Sequence, residues 1–312
     1  MLSARQVTGA AGRDLTYSEY VLMVRDSGVS GRVALGAILA ACSLLVAGSA
    51  GASPLDGAKA PAQVRDYWTP GRMRDAVPLN PLAGVVDAKR RGTIAKPVRR
   101  SRRRPNRSHG KVFFRLGGTN YVCSGTAVRA PGENVVWTAG HCVYGSTNGK
   151  APFGEWPQLG GGLQATSQWK LSSEGCLPVT SCGDVAHDFG AANVAKLGGR
   201  SLQDVVGGRP IQFNGPRDRI YKAIGYPQGA PFSGGRMFGC RSAYKGEDSG
   251  QGSPAPMRIT CDMTGGSSGG GWVAGGKVAS VVSYGYADEP SNLYGPYQGA
   301  SAHALFNQVK SG

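Results

Sequence analysis

Three short stretches of this chain carry side chains suited to nucleophilic chemistry. His141 sits in Thr138-Ala139-Gly140-His141-Cys142, at the end of the apolar run Val135-Val136-Trp137. Asp188 sits in His187-Asp188-Phe189, at the mouth of another apolar run. Ser268 sits in the glycine-lined stretch Gly265-Gly266-Ser267-Ser268-Gly269-Gly270-Gly271. A serine hydroxyl is a weak nucleophile at neutral pH. It needs a base to take its proton, an acid to orient that base, and amide donors for the oxyanion that forms. The chain supplies each of these parts, in the order His, Asp, Ser.

Residue pattern alone leaves alternatives at two of the three positions. The serine pattern G-x-S-x-G fits Ser268 and, one residue earlier, Ser267. Asp184 competes with Asp188 from a more polar setting. Of the four histidines, His109 lies in a basic stretch, His187 neighbours the acid and His303 lies in a helical pattern, so only His141 follows a strand into a turn. G-x-S-x-G is also the nucleophile elbow of α/β-hydrolases, with Asp288 or Glu289 and His303 as nominal partners. That elbow needs a helix directly after the serine. Gly269-Gly270-Gly271-Trp272-Val273 begins one poorly, and 44 residues are too few for the remaining β/α units.

The T-A-G-H-C motif, the glycine-lined serine and their order resemble the chymotrypsin/trypsin-like serine endopeptidases. The likeness is nearest to the bacterial secreted branch that holds the V8-like (glutamyl) endopeptidases, and it spans about residue 110 to the C-terminus. The resemblance implies an all-β fold of two packed, six-stranded antiparallel barrels, with a closing helix on the second barrel. It also implies peptide-bond hydrolysis through His141, Asp188 and Ser268 in the cleft between barrels. Gly266 and Ser268 would offer the oxyanion hole through their N–H groups. Val282-Ser283-Tyr284-Gly285 resembles the family's substrate-pairing strand, which makes Ser283, Tyr284 and Gly285 substrate-binding candidates. Asp262, six residues before Ser268, stands where trypsin-like enzymes keep the acid that reads Arg or Lys at P1. Two departures stand out. Ser267 replaces the Asp that pairs with a new N-terminal amine in trypsin-like zymogens, and Gly271 replaces the usual Pro.

Around this core the composition is uneven. The chain has 312 residues and a formal net charge of +16, of which residues 53–107 contribute +10. Fifty glycines and few long helical patterns suit an all-β protein with many tight turns. Arg25 and Arg32 precede an apolar run from Val33 to Val46 and small residues to Ala52, the pattern of a secretory signal peptide over 23–52. Residues 1–22 then read as an over-long start, with Met23 as the true one. Cys42 in Leu39-Ala40-Ala41-Cys42 resembles a lipidation box, but the apolar run continues past it. Setting Cys42 aside leaves six cysteines, read in an exported chain as three disulfides. Cys176 with Cys182 and Cys240 with Cys261 are the local pairings, and the resemblance pairs Cys123 with Cys142 beside the histidine. No Cys-x-x-Cys spacing suggests a metal site, and no cofactor motif is present.

Residues 53–107 read as a mostly disordered basic propeptide or linker ahead of a catalytic domain over 108–312. Lys89 to Arg107 holds ten basic residues and no acid, a composition that cannot bury a core. It suits a processing protease's cleavage site, and hence a zymogen. Strands are expected over 111–115, 121–128, 134–139, 189–194, 219–226, 258–261 and 277–286. A final helix is expected from Ala302, Leu305, Phe306 and Val309, capped by Ser301. The sequence therefore reads as a secreted, monomeric serine endopeptidase acting on proteins or peptides. It reads as having no stable membrane span, nucleic-acid partner, metal or cofactor. The competing reading is a non-catalytic binding or adhesion protein on the same scaffold, gripping anionic surfaces with its basic arm.

Overall fold

The structure, a computed structural model, describes residues 66–79, 94–116, 118–143, 163–165, 185–196 and 198–311. The signal segment with Cys42, and Cys176, Cys182 and Asp184, lie outside the described residues. In chain order the strands are β1 (Val77–Pro78), β2 (Lys96–Pro97), β3 (His109–Leu116), β4 (Thr119–Ala127), β5 (Val135–Thr138), β6 (Leu163–Ala165) and β7 (Gly190–Asn193). They continue with β8 (Ile220–Gly225), β9 (Phe238–Glu247), β10 (Met257–Thr260), β11 (Gly271–Ala274), β12 (Lys277–Val281) and β13 (Asn292–Gly295). The α-helices are α1 (Pro70–Asp75), α2 (Leu202–Val206) and α3 (Ala300–Val309).

These strands form two sheets. The first runs β1-β4-β5-β7-β6 with β3 also on β4, and the second runs β12-β11-β8-β9-β10-β13 with β2 also on β9. Pairing is antiparallel throughout, except that β1 runs parallel to β4. This is the two-sheet, trypsin-like architecture that the motifs led us to expect. The fully buried apolar runs make two cores. Val112, Phe114, Val135, Trp137 and Phe189 belong to the first. Tyr221, Met257, Ile259 and Trp272 belong to the second. Strands that read as continuous apolar runs, such as Val135-Val136-Trp137, are buried on both faces.

Three expectations are corrected. The closing helix α3 buries Ala302, Leu305 and Val309 as the spacing requires. These side chains join the first core rather than the second barrel, and the Asn193 side-chain amide of β7 donates to the Val309 carbonyl at 2.9 Å. Its N-cap is Gly299 rather than Ser301. Burying Leu305 and Val309 contributes about 1.5–3 kcal/mol each before chain ordering is counted.

The third correction concerns the basic segment. Residues 66–79 and 94–107, expected to be disordered, are folded onto the two sheets. Strand β2 pairs Lys96 with Gly239 and Pro97 with Phe238. Main-chain pairing needs no apolar side chain, so a basic tract can lie on a sheet edge with its charges in water. Further along, Arg104 donates to the carbonyls of Gln203 and Asp204 on α2.

Candidate active site

His141 is delivered by β5. After Thr138 the chain turns into a short 3-10 helix, Gly140–Cys142, closed by Cys142 N–H to Ala139 C=O at 3.1 Å. Cys142 is bonded to Cys123 of β4, which ties that turn to the neighbouring strand. The second described disulfide is Cys240–Cys261, within the other sheet. Cys123, Cys142 and His141 cluster as metal ligands would, but both sulfurs are spent in the disulfide.

Asp188 lies just ahead of β7, wholly buried, and reaches the histidine twice. Its Oδ1 accepts the backbone N–H of His141 and its Oδ2 accepts ring Nδ1–H, both at 2.8 Å. Because the carboxylate accepts at Nδ1, that nitrogen carries the proton, and Nε2 is left as the basic nitrogen on the other side of the ring. Ser283 adds a third donor, its hydroxyl bonding Asp188 Oδ2. With His141 3 % exposed and Asp188 and Ser283 at 0 % and 1 %, the whole chain of hydrogen bonds is shielded from water. That shielding strengthens each bond.

Ser268 is held by Ser124, a residue that sequence reasoning did not single out. The Ser124 N–H donates to the Ser268 carbonyl at 2.7 Å, and its hydroxyl donates to the Gly266 carbonyl at 2.8 Å. The same hydroxyl accepts the Tyr226 N–H at 2.9 Å, and Thr138 donates to the Ser124 carbonyl at 2.8 Å. One serine on β4 thus fixes the turn that carries Ser268 to the strand beside the histidine. Gly269 shows how close that approach is. Its φ is +80°, and a Cβ there would collide with the Thr138 hydroxyl and the Ser124 carbonyl. Gly266, at φ +93°, is the other turn position that requires glycine.

The turn's amides divide into two groups. Those of Ser267, Gly269 and Gly270 donate to the carbonyls of Thr264, Val282 and Ser267 at 3.2, 2.7 and 2.9 Å. Among the described residues the N–H groups of Gly266 and Ser268 have no such acceptor. Two donors left over in the turn that carries a serine hydroxyl suit an anion. Ser267, the alternative nucleophile, is committed elsewhere: its hydroxyl donates to the Thr264 carbonyl at 2.6 Å.

Ser268 opens on a cavity of about 40 Å³. Met263, Val282, Pro290 and Leu293 give it apolar walls, and Ser283, Tyr284 and Gly285 also line it. Tyr284 and Tyr286 both donate to Asp248, at 2.8 and 2.7 Å. Burial and that carboxylate push the Tyr286 hydroxyl up to about 12 and the Tyr284 hydroxyl higher still, so both stay neutral. Asp262 does not line the cavity. Its carboxylate, 1 % exposed, accepts the backbone N–H of Ile94 at 2.9 Å and of Ala95 at 2.7 Å. The expectation that Asp262 reads a basic P1 side chain is therefore corrected: it anchors an upstream segment instead.

Comparison with known proteins agrees with this fold. No protein-family model and no curated protein matches the chain. Among solved structures, the protease Anisep from Arthrobacter nicotinovorans is similar at 36 % identity and TM-score 0.55, covering 66 % of this chain and 96 % of its own. A thermostable serine protease, AL20, from an extremophilic microorganism is similar at 33 % identity and TM-score 0.53, over 65 % and 97 %. A fold of two mainly antiparallel sheets, with over 30 % identity across nearly the whole length of these two enzymes, places the chain in the bacterial chymotrypsin/trypsin-like serine protease family.

Proposed function

We propose that the protein is a secreted serine endopeptidase whose nucleophile is Ser268, whose general base is His141 and whose orienting acid is Asp188. The observation that carries this reading is the buried relay of Ser283, Asp188 and His141 Nδ1, set beside a serine turn that Ser124 bonds to β4. In the reaction, Nε2 of His141 takes the Ser268 proton as Oγ attacks the scissile carbonyl. The oxyanion is met by the N–H groups of Gly266 and Ser268. The C–N bond then breaks, with the same proton passing to the leaving amine, and water repeats the sequence to release the acyl group. Asp188 accepts from Nδ1–H throughout and stabilises the imidazolium.

The cavity beside Ser268 further supports an uncharged P1 side chain of small or middle size. It has apolar walls, its polar side chains are those of Thr264, Ser267, Ser268, Ser283, Asn292 and the two tyrosines, and no charged residue lines it. A buried lysine or arginine head would meet no carboxylate there, at a cost of several kcal/mol. The substrate backbone would lie along Ser283-Tyr284-Gly285 as an added strand.

Ser268→Ala should abolish hydrolysis of a denatured protein substrate, while Ser267→Ala should keep most of it. Retained turnover in Ser268→Ala would overturn the assignment.

A further inference from the structure

Lys111 on β3 is a buried ammonium group that the catalytic reading leaves without a task. It is 7 % exposed, and among the described residues no carboxylate pairs with it. Its Nζ donates instead to Gln228 Oε1 at 3.2 Å and to the Gly234 carbonyl at 3.3 Å, with the Phe113 ring centroid 5.1 Å away. Taking a cation out of water without an anion beside it lowers stability, and burial brings this one from 10.5 down to about 8. A chain that keeps such a group gains something other than stability from it.

The two acceptors lie near opposite ends of one loop. The Gly234 N–H donates to the Pro227 carbonyl at 3.0 Å, closing residues 227–234, and Lys111 grips both sides of that closure. Gln228 is fixed again by its Nε2, which donates to the Ala76 carbonyl at 2.6 Å. The main chain of the same loop holds the serine turn. The N–H groups of Gln228 and Gly229 donate to the Gly265 carbonyl at 2.7 and 3.2 Å, and the Thr264 hydroxyl donates to the Gly229 carbonyl at 2.7 Å. Contact is so close that a Cβ on Gly266 would lie 2.8 Å from the Tyr226 carbonyl oxygen and 3.1 Å from Gln228 Cβ.

That grip decides where the Gly266 N–H points. The Gly265–Gly266 peptide is trans, so its C=O and N–H point in opposite directions. With the carbonyl turned onto Gln228 and Gly229, the N–H is turned away from the loop. It is one of the two amides of the turn that have no acceptor among the described residues. Glycine on both sides offers little resistance to rotation of this peptide, so its orientation depends on the loop that holds it.

Resting on the proposed catalytic reading, we propose that Lys111 is a positioning residue for the oxyanion hole, holding the 227–234 loop so that the Gly266 N–H stays aimed at the developing charge. It acts through Gln228 rather than on the reacting atoms.

The test compares the full chain with Lys111→Met, Gln228→Ala and the double variant on a short peptide ester. Methionine keeps the reach of the side chain and deletes its donors. Lys111→Met should melt higher than the parent at pH 7, yet lose about tenfold to a hundredfold in kcat with KM little changed. A peptide aldehyde, whose adduct with a serine carries the oxyanion, should bind this variant more weakly by a similar factor. Gln228→Ala should lose a comparable factor in kcat. The double variant should be no slower than the slower single one, because both changes act on one route. Equal kcat in the parent and Lys111→Met, losses that multiply in the double variant, or a kcat loss accompanied by a lower melting temperature would each overturn the positioning role. Those outcomes overturn it alone when a fluorophosphonate labels Ser268 in the parent. A parent that neither hydrolyses the ester nor takes the label would overturn the catalytic reading and the positioning role with it.

Discussion

Ser124 donates its backbone N–H to the carbonyl of Ser268 at 2.7 Å, and through that bond the two sheets meet at the proposed active site. The Ser124 hydroxyl reinforces it at Gly266 and also accepts from Tyr226 on the second sheet's side. The proposed nucleophile comes from the second sheet's connections and the proposed base from the first, so their alignment depends on this one buried side chain.

Ser124→Ala keeps the backbone bond and deletes the two hydroxyl bonds. We expect kcat to fall by about tenfold to a hundredfold with KM little changed, because a misplaced serine turn weakens transition-state contacts more than substrate docking. Steady-state kinetics on a short peptide ester checks this. A changed KM with an unchanged kcat would mean that Ser124 serves binding instead.

Asp262→Ala separates anchoring from specificity. It removes the acceptor of one buried and one part-buried N–H group, so stability should drop by roughly 1–3 kcal/mol. That is a melting temperature lower by roughly 2–12 °C for a domain of this size. The P1 profile measured on a peptide library should stay the same, with Arg and Lys disfavoured in both proteins. A parent enzyme that prefers Arg or Lys, and loses the preference in the variant, would return Asp262 to the substrate pocket.

The two described disulfides should differ in their effect on activity. Each closes a loop of about twenty residues, with separations of 19 and 21, so replacing either pair by alanines should cost about 3 kcal/mol. The pair Cys123–Cys142 flanks His141, and its loss should also lower kcat, measured well below the melting transition. Loss of Cys240–Cys261 should leave kcat near that of the parent at the same temperature.

Two buried basic groups make stability depend on pH. Burial, with Arg209 and Lys222 nearby, holds His109 well below the ordinary histidine range. Arg209 Nε donates to its Nε2 at 2.9 Å, so that nitrogen is an acceptor and the ring is neutral. Burial likewise brings Lys111 from 10.5 down to about 8. In both cases the unfolded chain binds more protons than the folded one below the ordinary pKa. Stability therefore falls as pH drops from 10.5 toward 8 because of Lys111, and again below 6.5 because of His109. The lysine shift corresponds to roughly 3 kcal/mol, fully present as a penalty at pH 7. Lys111→Met should thus raise the melting temperature more at pH 7 than at pH 10. Melting curves across pH 5–10 check the sign.

The parts legible in the sequence are those encoded locally. Thr138-Ala139-Gly140-His141-Cys142 announces its turn because strand, small residues and histidine are contiguous. Ser268 is marked by glycines that only a turn of positive φ and close approach requires. The face of α3 follows from Ala302, Leu305 and Val309. Strand β9 was missed because it is rich in polar and charged residues, with Cys240 and Ser242 as its buried positions. What stayed hidden depends on partners far away in sequence. Nothing near Ser124 announces Ser268, 144 residues on. Nothing near Asp262 announces Ile94. The basic tract read as disordered because composition measures the ability to bury side chains, while β2 is held by main-chain bonds. Trp68 and Met73 gave no periodic signal, since α1 is six residues long and its hydrophobic partners lie on β3 and β4.

The most direct measurement is mass-spectrometric mapping of a fluorophosphonate adduct on the full secreted chain, in parallel with Asp188→Asn and His141→Ala. We expect one adduct, on Ser268, formed slowly or not at all in both variants because neither retains a correctly oriented base. Labelling at Ser267, or labelling of Ser268 at the parent rate in both variants, would contradict a nucleophile activated by His141 and Asp188.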